Sequence, residues 1–319
     1  MDHPQLVTIF GGSGFVGTQI VQVLARAGYR VRVAVRRPDL AGHLRPLGNV
    51  GQVVLVQANV RNADSVMAAV RGSDAVINLT GIGYERAKQR FRAVHAMGAQ
   101  SVARAALSVG AKTLVHMSQL GADEDSTSVG FRSRALGEKL VREAFPAAII
   151  MRPSTIFGTG DGFFNLLGSL ARALPVMPLF GGKSKFQPVY VGDVAEAFLA
   201  AVKGEARTGA TYELGGPDVE THRQLVERVL VETGRSNPIL PLPNFVGGLL
   251  AIPFGFLPKP LITADQIRQL GTDNVVSAEA SKDGRTLQGL GIVPRPMDAV
   301  LSSYLWRFRR NGQFDRQPA

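Results

Sequence analysis

The sequence predicts an α/β fold, a parallel sheet with helices on both faces, followed by a smaller and mostly helical C-terminal region. Two observations carry this. Short runs rich in Val and Ile alternate with helix-patterned stretches through the first half of the chain. A glycine-rich turn, Phe10-Gly11-Gly12-Ser13-Gly14-Phe15-Val16-Gly17, also separates the first such run from the first helical stretch.

Leu6–Phe10, Arg30–Val35, Val53–Gln57, Ala75–Leu79, Thr113–Met117 and Ala148–Met151 read as strands. Several are continuously apolar, as strands covered on both faces should be. Helical patterns at Gly17–Ala27, Asp64–Val70, Phe91–Val109 and Ser133–Ala144 fill the gaps. Strand–helix alternation with short turns implies right-handed crossovers, and hence a Rossmann-type doubly wound sheet. After Pro153 the rhythm changes. Helices are expected at Phe163–Ala173, Asp193–Val202 and His222–Thr233, the last opened by Thr221 and Gln224 at capping-box spacing. Thr263 and Gln266 repeat that signature before Ile267–Leu270, and Met297–Arg310 has the pattern of an amphipathic helix. The expected division is a nucleotide-binding domain at 1–153, to which segments around 186–216 return, and a smaller region at 154–319.

The glycine turn carries the chemistry. Gly11, Gly14 and Gly17 space as G-x-x-G-x-x-G between a strand and a helix, where backbone N–H groups at a helix N-terminus can hold a pyrophosphate. Gly11, Gly12, Ser13, Gly14, Phe15 and Val16 are therefore candidate dinucleotide contacts. At the end of the second strand, NAD sites use an acid for the ribose hydroxyls. This chain has Arg36-Arg37-Pro38 and no acid before Asp39. Two guanidiniums suit a 2′-phosphate, so NADPH or NADP+ is the expected cofactor. Asn59 and Val60 are expected beside the adenine, and Leu79, Thr80 and Gly81 near the ribose of the nicotinamide half.

The composition removes other classes of chemistry. Cysteine is absent, which excludes disulfides, thiol nucleophiles and cysteine-held metals. The five histidines have no metal-site spacing. A net charge of +11 favours an anionic partner, although it also fits a soluble protein in which arginine is simply frequent. Neither a lysine-rich tail nor zinc-finger spacing points to nucleic acid. The first strand follows Met1-Asp2-His3-Pro4 at once, leading to the expectation of no targeting peptide and a place on the cytoplasmic side of a membrane. Residues 238–262 mix Leu, Ile and Phe with repeated Pro and Gly, too interrupted for a spanning helix. They read either as a buried loop or as a surface resting on lipid or a partner.

Several segments resemble the extended and atypical short-chain dehydrogenase/reductase superfamily: the glycine turn, Arg36-Arg37, Asn78-Leu79-Thr80-Gly81, Arg152-Pro153-Ser154 and Phe186-Gln187-Pro188-Val189-Tyr190-Val191-Gly192-Asp193. His116-Met117-Ser118, Ser133-Arg134-Ala135-Leu136-Gly137-Glu138, Ile156-Phe157-Gly158, Asp265-Gln266-Ile267 and Asp273-Asn274-Val275-Val276 are more similar to the nucleotide-binding accessory subunits of respiratory complex I. The resemblance adds Ser118, Arg134, Pro153 and Ser154 to the candidate cofactor contacts. It also exposes a loss. Active members use Tyr-x-x-x-Lys after the fifth strand, the lysine tuning the phenol that moves the proton. Here Gly130 and Arg134 occupy those places, and a one-residue shift offers Phe131 and Ala135. No catalytic residue is therefore expected. Tyr84-Glu85-Arg86-Ala87-Lys88 has the right spacing in the wrong loop, and His95 and His116 read as structural. The resemblance implies a non-catalytic subunit with complex I proteins and anionic phospholipid headgroups as partners, peripheral on the cytoplasmic side of the inner membrane. The alternatives are a soluble NADPH-dependent reductase or epimerase for a sugar nucleotide, quinone or small carbonyl, and a sensor of the cofactor ratio.

Overall fold

The computed structural model describes residues 5–243, 247, 260 and 262–314. Most of the Pro- and Gly-rich stretch at 245–262 lies outside them. The chain forms two compact units, one from Met1–Pro153, Gly192–Leu214 and Ser277–Ile292, the other from Ser154–Val191, Gly215–Val276 and Val293–Ala319.

The first unit is built on β1 (Leu6–Phe10), β2 (Arg30–Val35), β3 (Val53–Gln57), β4 (Ala75–Asn78), β5 (Thr113–Met117) and β6 (Ile149–Pro153). With the strand Thr211–Leu214 they make a seven-stranded sheet in the order Thr211–Leu214, β6, β5, β4, β1, β2, β3, every pair parallel. This is the doubly wound order, with its reversal between β1 and β4. Helices α1 (Phe15–Arg26), α2 (Ala63–Val70), α3 (Ala99–Ser108) and α4 (Val129–Ala144) are the crossovers. Every described residue of β4, and Val7 to Phe10 of β1, is buried, which explains their unbroken apolar runs. Thr8 and Asn78 are the polar exceptions, the Thr8 hydroxyl satisfied by Ser73 Oγ at 2.7 Å and the Asn78 amide by His116 Nδ1 at 3.1 Å.

Local chemistry sets the helix ends. Asn62 caps α2 by accepting from Ser65 N–H, and Ser128 caps α4 by accepting from Phe131 N–H at 3.2 Å. That serine starts α4 at Val129, four residues before the start expected from the apolar period. The long helix expected at Phe91–Val109 is also divided: Arg92–Gly98 is π-helical and α3 begins only at Ala99. Close packing accompanies the bulge, since a side chain on Gly137 of α4 would collide with the His95 carbonyl. Segment Ser277–Ile292, which the sequence offered no reason to return to this unit, lies along the edge strand. Ser277 N–H donates to the Glu213 carboxylate at 2.7 Å, and Arg285 donates to the Thr211 carbonyl at 3.0 Å.

In the second unit, α5 (Phe163–Ala173) and α6 (His222–Glu232) pack around Phe157, Phe164, Leu225 and Val229. Both expected capping boxes form, Thr221 with Gln224 and Thr263 with Gln266. The continuous helix expected at Met297–Arg310 does not. It is broken into turns at Met297–Ala299, Ser302–Leu305 and Trp306–Phe308. A helix of this length is marginal alone, and here tertiary anchors decide: Tyr304 Oη donates to Asp161 at 2.5 Å, and Arg309 donates to the Glu232 carbonyl at 2.8 Å. Met297, Leu301, Tyr304, Leu305 and Phe308 belong to the unit's core, so this segment is not a detachable docking tail.

Candidate functional site

A cleft of about 280 Å³ opens at the carboxyl ends of the strands, beside the switch in strand order. It lies wholly within the first unit. Its floor is the turn from β1 to α1, and three glycines there have no room for a side chain. Gly11 has φ +79° and would press a Cβ to 3.1 Å from the Leu79 carbonyl carbon; on Gly12 it would stand 2.5 Å from Val33, and on Gly17 2.6 Å from Gly11 O. Gly14 is the N-cap of α1 and supplies no side-chain hydrogen bond, nor is there an acid in the helix's first turn. The opening N–H groups are thus left to a ligand, with the positive end of the helix dipole behind them. Backbone donors, close access and no competing carboxylate fit a pyrophosphate.

Around this turn the structure gathers Gly11, Ser13, Gly14, Arg36, Asn59, Val60, Leu79, Thr80 and Gly81 as cleft lining. Gly12 is buried beneath them, while Phe15 and Val16 form the start of α1. At the end of β2 the two arginines differ. Arg36 lines the cleft and has no ion pair among the described residues. Arg37 is turned to Asp39, Nη2 to Oδ2 2.8 Å, a pair exposed to solvent. The carboxylate raises the Arg37 pKa through their hydrogen bond and charge attraction, and is itself lowered. A guanidinium not foreseen, Arg61, lines the cleft beside Arg36 and is steadied by the Lys88 carbonyl at 3.0 Å. Its place two residues after Asn59 was the available signal. Ile82 and Gln89, from the loop after β4, and Val94, from the π-helical turn, also line the cleft, and no sequence signal pointed to them.

The end of the cleft beyond β4 is built from side chains. Asn78 holds Thr80 by accepting from its N–H at 3.1 Å and its hydroxyl at 2.6 Å, and donates to His116 Nδ1 at 3.1 Å. Ile82 N–H donates to His95 Nε2 at 3.0 Å, so His95 carries its proton on Nδ1 and donates to Ser133 Oγ at 2.8 Å. Ser133 passes the chain on to the Gly130 carbonyl at 2.7 Å. Burial, reinforced by the Arg134 charge, pushes His95 down to about 2 and His116 down to about 3, so both are neutral. Arg134 reaches from α4 toward Gly81: its Nη2 lies 3.0 Å from where a Cβ on Gly81 would stand. Burial lowers its pKa to about 10 against the attraction of Glu138, and it stays charged. Glu138 cannot neutralise it fully, being held in a two-pronged pair with Arg152 at 2.8 and 2.7 Å.

The remaining candidates lie apart from the lining. Ser118 follows β5 and is buried, its hydroxyl without a partner among the described residues. Pro153 ends β6 and accepts from Leu120 N–H at 3.0 Å. Ser154 belongs to the second unit, where its hydroxyl donates to Asn274 Oδ1 at 2.7 Å. Gly130 and buried Phe131 sit in the first turn of α4, and the nearest side-chain cation in register is Arg134. Tyr84 and Lys88 do not share a helix face. The chain there is a turn, with Arg86 and Gln89 bridged and Ala87 at φ +48°.

Comparison with known proteins agrees with this architecture. Residues 7–215 match the model of the NAD dependent epimerase/dehydratase family. The chain is 37% identical to NADH dehydrogenase (ubiquinone) 1 alpha subcomplex subunit 9, mitochondrial, of Arabidopsis thaliana, over 96% of this chain and 79% of that protein. A ceramide reductase of Caulobacter vibrioides is 33% identical over 62% of this chain and 61% of its own length. Among solved structures, a dTDP-glucose 4,6-dehydratase from Streptomyces venezuelae with NAD and TYD bound superposes with a TM-score of 0.70 at 18% identity, over 97% of this chain and 98% of that one.

Proposed function

Because the chain belongs to the NAD dependent epimerase/dehydratase family, we propose that it keeps the family's dinucleotide cleft without the chemistry, as a non-catalytic NADP(H)-binding accessory subunit of respiratory complex I. The observation that carries this reading is a cleft whose glycine cradle is intact, joined to the resemblance that sets Gly130 and Arg134 where active members have the proton-transferring tyrosine and its lysine. A phenol positioned for acid–base work contributes about 10²–10⁴-fold to rate, and here no hydroxyl of that kind is in place. Bound nicotinamide cofactor would supply hydride chemistry; this chain's residues supply only its seat. The glycine turn and the start of α1 hold the pyrophosphate, Arg36 and Arg61 face the 2′-phosphate, and Asn59 and Val60 flank the adenine. Leu79, Thr80, Gly81 and Arg134 meet the other ribose. A ligand bound only by the folded chain stabilises it by mass action, about 2.7 kcal/mol at a hundredfold excess over Kd.

The plant relative's name supports the complex I assignment for this chain. Surface attachment through anionic headgroups is consistent with the +11 charge, and no helix among the described residues is long and apolar enough to cross a membrane. The test is fractionation of native membranes in mild detergent. The chain is expected to migrate with NADH dehydrogenase activity and to release NADP(H) on denaturation. A chain that is free in low-salt extract and oxidises NADPH with a carbonyl substrate would instead favour a soluble reductase, a reading for which the ceramide reductase likeness speaks.

A further inference from the structure

We infer that Arg61 couples the cleft to the outer loop at residues 83–90, so that a 2′-phosphorylated ligand fixes the conformation of that loop. This rests on the NADP(H) reading above. The loop leaves the sheet at β4, and the side chain it meets leaves the sheet beyond β3: the Arg61 guanidinium donates to the Lys88 carbonyl at 3.0 Å. Strands β1 and β2 stand between, three strand spacings or about 14 Å in all. The glycine turn after β1, Arg36 after β2, Arg61 after β3, and Ile82 and Gln89 beyond β4 all line the cleft. Loop and arginine together therefore close a ring around it.

Both ends of the loop are moored by the chain itself. Ile82 N–H donates to buried His95 at 3.0 Å, and the Glu85 carboxylate accepts from Phe91 N–H at 2.7 Å. Between them lies a tight turn exposed to solvent. Arg86 and Gln89 exchange backbone hydrogen bonds at 3.0 and 2.8 Å, and Ala87 sits at φ +48°, the one non-glycine residue at positive φ among the described residues. L residues rarely hold that conformation unless their surroundings impose it. Arg61 supplies a restraint at the very next residue.

The coupling follows from the shape and charge of a guanidinium. It is a rigid plane with five N–H donors, so a phosphate gripping one edge sets the direction of the other. The Arg61 main chain is already fixed, its N–H donating to Asn59 Oδ1 at 3.1 Å. Arg36 lines the same cleft, and no carboxylate lies among the lining residues to separate the two like charges. A phosphate between them turns repulsion into attraction and holds Arg61 toward Lys88. By linkage the effect is mutual, and whatever steadies the loop tightens the phosphate contact. A ligand with no 2′-phosphate leaves the loop as it was.

The test uses the full chain and two small probes, adenosine 2′,5′-bisphosphate and 5′-AMP, with binding read by calorimetry. The loop is read by limited trypsin digestion and mass spectrometry, at the Arg86–Ala87 and Lys88–Gln89 bonds. Saturating bisphosphate should slow cleavage there by about 10-fold, an ordinary size for coupling between two sites. Saturating 5′-AMP should leave it near the rate of the free chain. Arg61→Ala should lose the protection even at saturation. Arg36→Ala, which weakens the bisphosphate but leaves the Lys88 carbonyl its partner, should keep it. Bisphosphate that binds without slowing cleavage, equal protection by both probes, or protection that survives Arg61→Ala would overturn the inference and leave the NADP(H) reading standing. A bisphosphate bound no more tightly than 5′-AMP overturns both. Should either variant fail to fold, the two probes on the wild type still decide.

Discussion

The two ends of the cleft are made by different means. At the glycine turn the site is backbone: positive-φ Gly11, side-chain-free Gly12 and Gly17, and the opening N–H groups of α1. Beyond β4 it is side chain, with Asn78, His95, His116, Ser133 and Arg134 arriving from β4, β5, the π-helical turn and α4. Substitution has little freedom at the first end, because any Cβ meets main chain or a packed valine. The second end depends on which side chains are present, Asn78 hydrogen-bonded to His116 and His95 to Ser133, all four buried. A fold can therefore lose its reaction at one end while the other goes on holding the same ligand.

The sharpest way to break the comparison is at the backbone end. Gly17→Val places a branched side chain against Gly11 O and Gly12 Cα, at 2.6 Å for its first atom alone. NADPH binding by isothermal calorimetry should fall below detection, while Arg134→Lys on the far end leaves it measurable. The next effect in size tests the phosphate reading. Charge-assisted hydrogen bonds contribute about 1.5–3 kcal/mol, so Arg36→Ala should weaken NADPH by roughly 10–150-fold and NADH hardly at all. Arg61→Ala should act in the same direction. Arg37→Ala, already paired with Asp39, should cost less than either. Equal losses for NADH and NADPH would show that these arginines only support the fold.

Acid should reveal the side-chain end in a different way. His95 and His116 are held far below the ordinary imidazole range, so the unfolded chain binds more protons than the folded one as pH falls below about 6.5. Stability is full above that pH and is lost as pH drops toward the folded values. The slope approaches about 1.4 kcal/mol per pH unit for each histidine. Denaturant melts of His95→Gln and His116→Gln should show shallower acid slopes than the wild type; slopes that match it would mean that neither imidazole is held neutral. The smallest expected effect is none. Tyr84→Phe should leave NADPH unoxidised by carbonyl and quinone substrates, as in the wild type, and turnover that the substitution abolishes would restore a catalytic role to that loop.

What could be read from the sequence follows the same divide. The backbone end is local: a strand, a glycine spacing and a helix start lie within a dozen consecutive residues, and all six strands of the first half were legible from their apolar runs. Arg36 was legible for the same reason. The far end joins residues far apart in the chain, so nothing in Ile82, Gln89 or Val94 announced a place at the cleft. Arg134 was reached only through its register against a missing tyrosine. Arg37 differs from Arg36 in that an acid two residues away holds its guanidinium. The C-terminal segment misled because helical spacing of Met297, Leu301, Tyr304, Leu305 and Phe308 reports which face is buried, and the backbone that buries it is set by anchors such as Asp161.

The interleaving of the two units along the chain has a consequence for biosynthesis. β6 is complete at Pro153, yet the strand that covers its open edge, Thr211–Leu214, is translated only after the segment 154–210. At about 5–20 residues per second, the ribosome leaves that edge uncovered for about 3–11 s. An unpaired strand edge in a nascent chain is a template for pairing with a neighbour. Polysome crowding and chaperone supply, more than the finished protein's stability, should therefore govern how much of this chain reaches its folded form.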